Sequence, residues 1–448
     1  MKRDVPAVVP ATSCGRDVPV RASSRDTALG IVREAASRLY DPEAAPRYAD
    51  LARSRSAGGF EFWPTALSSG LPSVALLMTE LARALPGEGW DAAARTHLKT
   101  LAEATRARPV AGLGMHGGLG GVALTFAAAE AMDPRYRTVR RSLDRALAER
   151  VRDHPWRHGE DGVQDHDYDA VNGAAGLLGY LVTATDAGPA VTEAVTVLVD
   201  HLVRLAGPPD APRWRIAAHA DGHGHPGGHY DLGLAHGIAG PLAALALARR
   251  AGHGGPALDR ALGDTADWLY ARRAEPAAPD GAPDWPATVP APAPAPAPDA
   301  GQPPGRPGWC YGGLGVARAL WHTGTALGRD DLMRHALRRA AADHRPQLDH
   351  TAGDSPGLCH GTAGLLRLWT LFAPDDPGGR AGAAADAALA RLIAEYDPST
   401  PLGYRDEERP GVHLDDPGFL TGVCGVLLSM LAAVTDTAPL WDRSLLID

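Results

Sequence analysis

The stretch YGGLG at Tyr311–Gly315 decides the fold of this chain, because its glycine-led pattern G-x-x-G recurs along the sequence. Internal repetition of this kind is the signature of architectures built from stacked, similar units. Six turns fit G-x-x-G, and one carries Ser73 in place of the second glycine. Aligned on their first glycine, the seven turns lie at Gly70, Gly117, Gly173, Gly237, Gly312, Gly361 and Gly422.

Each turn separates two kinds of helical segment. The segment that follows is nearly continuous in Ala, Leu and Val, as in VALTFAAAEAM at 122–132, which suits a helix buried on most sides. The segment that precedes it is amphipathic and charged, as in YRTVRRSLDRALAERVRDH at 136–154. Helices that are apolar all round need neighbours on both sides, and a closed ring provides them. The sequence therefore predicts an all-α fold, an α/α toroid of seven helical hairpins with inner and outer helix rings and the G-x-x-G turns at one rim.

Three stretches outside the repeats differ in composition. Residues 1–26 lack the apolar core of a signal peptide and are expected to form a mobile N-terminal arm, which leaves 27–448 as a single toroid domain. Residues 207–231 are rich in His and Gly, and residues 275–308 contain the run PAPAPAPAPD. We expect loop insertions at both places, the second of them flexible or polyproline-like.

Charge and hydropathy exclude two classes of partner. The net charge is −9, and the chain has no basic stripe of the kind that a nucleic-acid-binding protein needs. No apolar run reaches the ~20 residues that span a bilayer. We therefore expect a cytoplasmic protein, associated with a membrane only through a biosynthetic complex. Because a reducing compartment disfavours structural disulfides, each cysteine is considered singly.

Two cysteines occupy the same place in adjacent repeats. Cys310 and Cys359 both lie two positions before the first glycine of their turns, and His360 follows Cys359 directly. Equivalent positions in a ring face a common centre, so the two thiols are expected to be close in space. Two thiolates and one imidazole are good zinc ligands, and three protein ligands with an open fourth position are typical of a catalytic zinc site. The alternative is that both cysteines are small buried hydrophobic residues.

The position directly before the glycine is polar in every turn, and three of its seven occupants are histidines. A ring fold predicts that these side chains converge at one rim. They are Ser69, His116, Asn172, His236, Tyr311, His360 and Thr421.

The residues at these positions resemble a known family. The sequence of Gly308–Gly312 is G-W-C-Y-G and that of Leu358–Gly361 is L-C-H-G, like the W-C-Y-G and C-H-G motifs of the lanthionine synthetase C cyclases. The turns at Leu234–Gly237 and Tyr168–Gly173 match as well, so the resemblance covers the repeat array from about residue 27 onward. It implies a single zinc ion and a reaction in which a cysteine thiol of a precursor peptide adds to dehydroalanine or dehydrobutyrine. The product would be a lanthionine or methyllanthionine thioether ring.

The resemblance also implies residue roles. Zinc held by Cys310, Cys359 and His360 would bind the substrate thiol at its open position and lower the pKa of that thiol. His236 would supply the proton that the resulting enolate needs, since imidazole titrates near neutrality. Asp169 would orient His236 or tune its charge.

Four further residues complete the site that the resemblance implies. Tyr311 and Arg306 would stabilise the enolate oxygen, as hydrogen-bond donors do when they point at developing charge. Trp309 and His116 are expected to contact the substrate, with packing within the turn as the alternative for His116.

Cysteines and acids elsewhere near the turns are expected to be structural. Cys424 lies inside the last G-x-x-G as a small core residue, and Cys14 lies in the N-terminal arm, so neither is expected to react. Asp415 and Asp416 precede the last turn and are expected to cap it.

Several other functions remain open at this point. A relative of the cyclases could add glutathione to dehydroamino acids in proteins. A protein prenyltransferase also activates a peptide cysteine with zinc, but its ligands are Asp, Cys and His on another repeat pattern. A toroidal glycoside hydrolase would need paired carboxylates, and a non-enzymatic binding ring would lack a ligand or the acid. For the cyclase we expect a dehydrated precursor peptide, with leader and core, as substrate and a separate dehydratase as partner.

Overall fold

The computed structural model describes residues 22–56, 58–157, 162–209, 212–217, 227–274, 282–291, 307–342, 348 and 355–448. In chain order its helices are α1 Ala22–Ser37, α2 Ala44–Arg55, α3 Leu71–Ala84, α4 Trp90–Ala107, α5 Leu119–Met132, α6 Arg137–Asp153, α7 Asp165–Tyr168, α8 Ala174–Leu181, α9 Pro189–Ala206, α10 Ala239–Arg250, α11 Pro256–Ala271, α12 Gly313–Leu327, α13 Asp330–Ala340, α14 Thr362–Phe372, α15 Arg380–Glu395 and α16 Val423–Val434. Two antiparallel pairs of short strands accompany them, β1 His229–Asp231 with β2 Thr288–Pro290 and β3 Asp406–Arg409 with β4 Val412–Leu414. None of the helices in these ranges is long and apolar enough to cross a membrane.

Apolar helices form a closed inner ring in the described part of the chain. Each begins directly after one of the glycine-led turns, and the ring consists of α3, α5, α8, α10, α12, α14 and α16. Helix α5 shows why such a segment is internal, since its small and apolar residues are buried almost continuously from Leu119 to Ala129. The ring closes because α16 packs against α3. The α/α toroid predicted from the repeats is thus the observed fold.

Amphipathic helices form the outer ring. They are α1, α4, α6, α9, α11, α13 and α15. In α6, Leu147, Ala148 and Val151 are buried, whereas Arg145 and Arg152 are exposed. The closest hairpins run from an inner helix to the outer helix that follows it, as from α3 to α4 and from α12 to α13, and α1 packs against α16 to complete the last pair. The sequence pattern had instead grouped each outer helix with the inner helix after it.

Backbone hydrogen bonds join the seven turns into a circle at one rim. A residue shortly before each inner helix donates its N–H to a carbonyl of the next turn, and the last turn donates to the first. The links are Ser68 N to His116 O (3.0 Å), His116 N to Val171 O (2.9 Å), Ala170 N to Ala235 O (2.9 Å), Leu234 N to Cys310 O (2.9 Å), Cys310 N to Cys359 O (3.0 Å), Cys359 N to Leu420 O (2.7 Å) and Phe419 N to Ser68 O (2.8 Å). Equivalent residues of neighbouring turns are therefore adjacent in space.

The segment 440–447 fills the centre of the inner ring. It contains a short 3-10 helix, Trp441–Leu445, which contacts α5 and α8. Arg367 on α14 donates from Nε to the Asp442 carboxylate at 3.0 Å, and both groups are buried. Arg318 on α12 donates to the Ile447 carbonyl at 2.7 Å. The segment thus satisfies charged groups that would be costly to bury alone.

The two predicted insertions meet each other. Strand β1, at the end of 207–231, pairs with β2, inside 275–308, so that Tyr230 lies opposite Val289. Trp285 is 1% exposed, and its indole N–H donates to a carbonyl of α11 at 2.9 Å. Residues 282–291 of the second insertion are therefore packed on the toroid instead of flexible, because they contribute a strand and a buried tryptophan. Most of the PAPAPAPAPD run lies outside the described residues.

The predicted N-terminal arm also ends earlier than expected. Helix α1 begins at Ala22, so residues 22–26 are helical, and residues 1–21 lie outside the described residues. The helix starts there because α1 is the outer partner of α16 and has apolar residues to bury against it.

Candidate metal and acid–base site

The seven turns share one register when positions are counted back from the glycine that precedes each inner helix. In the second turn that glycine is Gly118, one residue later than the Gly117 of the sequence alignment, because α5 begins at Leu119. Both glycines of the pair fit G-x-x-G, so the sequence alone left the register of this turn ambiguous. Position −1 is held by Ser69, Gly117, Asn172, His236, Tyr311, His360 and Thr421, and position −2 by Ser68, His116, Val171, Ala235, Cys310, Cys359 and Leu420.

Cys310, Cys359 and His360 lie together at the rim. The two sulfur atoms and a ring nitrogen of His360 all lie within 4.8 Å of one another. The backbone circle causes this approach, since the Cys310 N–H donates to the Cys359 carbonyl at 3.0 Å. Cys310 is 6% exposed, and the other two side chains are half-buried. The adjacency predicted from the repeat register is what the structure shows.

The chemistry of these three groups fits a metal ion. A hydrogen bond with Cys359, assisted by His360, lowers the pKa of the Cys310 thiol below its ordinary value even though burial opposes the charged form. A thiol that loses its proton so readily behaves as a ligand or nucleophile and not as an inert buried residue. Two sulfur ligands and an imidazole are a donor set that zinc prefers. The residues present could therefore hold one zinc ion.

In six of the seven turns, position −4 lies against position −1 of the next turn. At Gly308, for example, a Cβ atom would lie only 2.5 Å from the Cα of His360. The third turn carries Asp169 at position −4, where five other turns have glycine. Its carboxylate therefore reaches the next residue at position −1, which is His236. The pairing of these two residues follows from the repeat geometry.

His236 is held as a charged hydrogen-bond donor. Its Nδ1 lies 2.7 Å from Oδ2 of Asp169, while the other carboxylate oxygen accepts two backbone N–H groups of its own turn. Burial opposes the charge on His236, but the hydrogen bond and charge of Asp169, with further charge from Asp231 and Asp165, raise the pKa of His236 to about 9. At neutral pH the imidazole is thus protonated, and the Nδ1–H···Asp169 bond leaves Nε2–H for another acceptor.

Asp165 brings a second carboxylate to His236. Its Oδ2 lies 3.7 Å from the Nδ1 atom of His236, and about half of its side chain is exposed. Ligand atoms of Asp165, Asp169 and His236 lie within 4.8 Å of one another, close enough for a metal ion. We interpret this group as an acid–base group, because the short Asp169 contact is already a charge-assisted hydrogen bond.

Tyr311 has a partner that the sequence analysis missed. Its hydroxyl donates to Oδ2 of Asp231 at 2.8 Å, and Asp231 is 5% exposed at the end of β1. Burial raises the pKa of Asp231 to about 6. A phenol has a single proton, so Tyr311 in this arrangement does not offer one to an enolate, contrary to the role expected for it. The only sequence signal for Asp231 was its place six residues before Gly237, which Asp416 repeats before Gly422.

Trp309 and His116 are core residues and not substrate contacts. Trp309 is fully buried, and its indole N–H donates to the Leu445 carbonyl at 2.8 Å. His116 is 1% exposed, and its Nε2 lies 3.0 Å from the Ser444 carbonyl. Burial lowers the pKa of His116 to about 4, so it is neutral. His116 therefore fits the alternative expected for it, packing within the protein, and in the shifted register it occupies position −2 instead of position −1.

Of the other residues singled out in the sequence, Cys424 and Asp416 have structural roles, and Arg306 lies outside the described residues. Cys424 is fully buried, and burial raises the pKa of its thiol, as expected for an inert core residue. Asp416 caps the last turn, because its carboxylate accepts the Gly418 N–H at 2.6 Å and the Thr421 hydroxyl at 2.6 Å. The role at the enolate oxygen expected for Arg306 therefore stays a prediction.

Comparison with known proteins extends over most of the chain. The family model of lanthionine synthetase C-like proteins matches residues 61–446. The nisin biosynthesis protein NisC of Lactococcus lactis subsp. lactis is 23% identical over 324 residues, which cover 70% of this chain and 75% of NisC. The solved structure of a nisin cyclase superposes with a TM-score of 0.71 at 20% identity, covering 91% of this chain and 97% of that one. With the toroid, the glycine-led turns and the Cys-Cys-His group already established, the matched family shows that the chain belongs to the lanthionine synthetase C-like proteins.

Proposed function

We propose that this protein forms thioether rings in a dehydrated peptide, by adding a cysteine thiol to dehydroalanine or dehydrobutyrine in the same chain. One observation carries the proposal. The group formed by Cys310, Cys359 and His360 lies one turn away from His236, a protonated imidazole, at the same rim of a toroid. A thiolate-binding group beside an acid is the pair that this addition needs. The relative NisC, a nisin biosynthesis protein, agrees with such a role.

Cys310, Cys359 and His360 would hold the metal ion, which we propose to be a single zinc. Zinc at this group would lower the pKa of a substrate thiol and keep the sulfur nucleophilic. Because the three side chains come from two neighbouring turns, the backbone link between Cys310 and Cys359 sets their separation before any metal binds.

His236 handles the proton in the proposed reaction. Attack of the sulfur on the β-carbon forms the C–S bond and moves an electron pair from the alkene into an enolate. The enolate α-carbon then takes a proton, and Nε2 of His236 is the donor, since Nδ1 is bound to Asp169. The proton lost by the substrate thiol returns to the imidazole or to solvent, so the ring closes without change in mass. Asp169 keeps the imidazole charged and correctly turned.

The wider setting belongs to the same proposal. The substrate would be a precursor peptide with leader and core segments. Its dehydroamino acids would come from Ser and Thr by dehydration, for which we propose a separate dehydratase as partner. A membrane-associated complex would be the place of such coupled reactions, with this protein on the cytoplasmic side.

A defined peptide tests the proposal directly. Purified protein with zinc would be mixed with a peptide that carries one cysteine and one dehydroalanine, and free thiol would be followed by alkylation and mass spectrometry. Cyclisation protects the peptide from alkylation at unchanged mass. If added glutathione instead raises the peptide mass while the peptide thiol stays free, the protein is a glutathione-adding enzyme and the cyclase assignment is wrong.

Matched cysteine variants separate the metal site from general damage. Cys310→Ala and Cys359→Ala are expected to lose zinc and cyclisation together. Cys424→Ala removes a thiol of the same size from the core and is expected to retain both, with a modest loss of stability. Full zinc content in both Cys310→Ala and Cys359→Ala would rule out this group as the site.

A further inference from the structure

Asp231 is a buried carboxylate next to the proposed site whose two oxygens have different partners. Strand β1 ends at Asp231, and its pairing with β2 places the residue behind the rim. Oδ1 accepts the N–H of Gly233 at 2.8 Å, and Oδ2 accepts the Tyr311 hydroxyl at 2.8 Å. The residue is 5% exposed. Both contacts are made within the protein, so the carboxylate has a fixed orientation.

Equivalent residues in other turns explain only one of these two contacts. At position −6, Ser355 accepts the N–H of Gly357 at 2.9 Å, and Asp416 accepts the N–H of Gly418 at 2.6 Å. This bond closes a local turn and is structural. The second oxygen of Asp416 binds Thr421 in its own turn at 2.6 Å. Asp231 alone among these three uses its second contact to reach position −1 of the following turn.

The ring of Tyr311 is held as firmly as its hydroxyl. A Cβ atom on Gly233 would lie 2.7 Å from Cδ1 of Tyr311, so the glycine allows the ring to pack directly on the turn that carries Asp231. The main chain of Cys310, the neighbour of Tyr311, also accepts the N–H groups of Leu234 and Ala235 at 2.9 and 3.2 Å. Ring and hydroxyl are therefore fixed with respect to the metal-binding group.

We propose that Asp231 is a positioning residue which directs the single proton of Tyr311 toward itself, so that the Tyr311 oxygen faces the substrate as a hydrogen-bond acceptor. The partner would be a peptide N–H beside the reacting residues. The inference rests on the proposed cyclase function. It reverses the polarity expected from the family resemblance, in which Tyr311 donates to an enolate oxygen.

Asp231→Asn distinguishes the two polarities. The amide oxygen can still accept the Gly233 N–H, while the amide NH₂ can donate to Tyr311 and leaves the phenol proton free to point outward. If Tyr311 acts as an acceptor, cyclisation should slow by about tenfold, the size expected when one hydrogen bond to the substrate is lost. If Tyr311 were a donor, the freed proton would keep the rate unchanged or raise it, and this result would overturn the proposal.

A double-mutant cycle shows whether Asp231 acts through Tyr311. Cyclisation rates of Asp231→Asn, Tyr311→Phe and the double variant would be measured at saturating and limiting peptide, with zinc content and unfolding temperature measured for each. We expect Asp231→Asn to have no further effect once Tyr311 is Phe, because contacting residues couple. Effects that multiply would show that Asp231 acts independently of Tyr311.

Asp416→Asn is the matched control. It changes an equally buried carboxylate at the same position of a turn that lacks the cross-turn bond, so it should lower the unfolding temperature without slowing cyclisation. If Asp416→Asn slowed cyclisation as much as Asp231→Asn, the effect of Asp231 would come from closing its turn and the proposal would be wrong. Wild-type protein that does not cyclise the peptide would refute the proposed function itself, whereas active wild type with an unaffected Asp231→Asn variant refutes only this inference.

Discussion

The turn before Gly237 and the turn before Gly422 have the same backbone and different side chains at the rim. In both, an aspartate at position −6 accepts an N–H two residues later, and its carbonyl accepts the N–H of the residue that follows the turn glycine, Ile238 or Val423, at 2.9 Å. Burial raises the pKa of both carboxyl groups to about 6. Position −1, however, is His236 in one turn and Thr421 in the other.

The difference lies in how each turn connects to its neighbours. Asp416 and Thr421 bind each other, which closes the last turn on itself. Asp231 instead binds Tyr311 of the next turn, and His236 binds Asp169 of the preceding one. The same backbone turn therefore contributes to the candidate site when its polar side chains hydrogen-bond to neighbouring turns, and it is purely structural when they hydrogen-bond within their own turn.

His236→Ala should abolish most of the activity, while the same position in another turn should tolerate change. Loss of a general acid typically lowers the rate by about 10²-fold or more. Ser69→Ala alters position −1 of the first turn and should leave the rate unchanged. Cyclisation rates with one defined peptide, with zinc content as the control for folding, measure both. Normal cyclisation by His236→Ala would eliminate it as the essential acid.

Asp169→Asn should change the pH dependence more than the maximal rate. The acid must be protonated, so the wild-type rate should fall as pH rises through about 9, the pKa to which His236 is raised. Without the Asp169 carboxylate, the pKa of His236 should fall toward the ordinary histidine value of about 6.5, because burial lowers this pKa and less negative charge then opposes it. The pH at which the rate declines should fall with it. The experiment is a pH–rate profile of both proteins. An alkaline limb that does not move would mean that another group supplies the proton.

The sequence predicted the parts of the site that depend on the repeat. The spacing of the turn glycines placed Cys310 beside Cys359, because equivalent residues of adjacent turns are neighbours in a ring. The toroid itself followed from apolar helices that need partners on both sides. Neither inference required any knowledge of side-chain contacts.

Two kinds of feature could not be predicted from the sequence: the register of a turn that has two adjacent glycines, and contacts made by segments distant in the chain. The run HGGLGG at 116–121 fits G-x-x-G in two registers, and the register chosen from the sequence placed His116 at position −1, whereas the structure places it at position −2. Asp231 was missed because its role depends on β1 pairing with β2 from the other insertion, which no local pattern indicates. Segment 440–447 likewise looks like an ordinary tail, although its carbonyls bind buried side chains of the ring.

Alanine substitutions at two glycines of position −4, Gly308 and Gly114, compare a steric clash beside the metal-binding group with an equal clash in another turn. A Cβ on Gly308 would lie 2.5 Å from the Cα of His360, and one on Gly114 would lie 2.4 Å from the Cα of Asn172. Alanine at either place should destabilise the fold by about 1–3 kcal/mol, the usual cost of overpacking. Only Gly308→Ala should also weaken zinc binding, measured by competition with a chelator. Equal zinc affinity in the two variants would show that His360 can shift its position without weakening zinc binding.

Thr421→Val should have the smallest effect, confined to stability, because the hydroxyl serves only the closed turn. The change keeps the shape but leaves Oδ2 of buried Asp416 without its donor, which costs about 1–3 kcal/mol of unfolding free energy. Burial raises the pKa of Asp416 to about 6, above the unfolded value near 3.9. The protonated carboxyl therefore stabilises the folded state below about pH 4, and this stabilisation is lost as the pH rises through 6. Thr421 donates to the ionised form, and its removal should therefore cost more at pH 7 than at pH 4. Urea unfolding at the two pH values measures this, and cyclisation at pH 7 should stay at the wild-type rate. A slower reaction would mean that the last turn also belongs to the site, and the distinction between closed and connected turns would then fail.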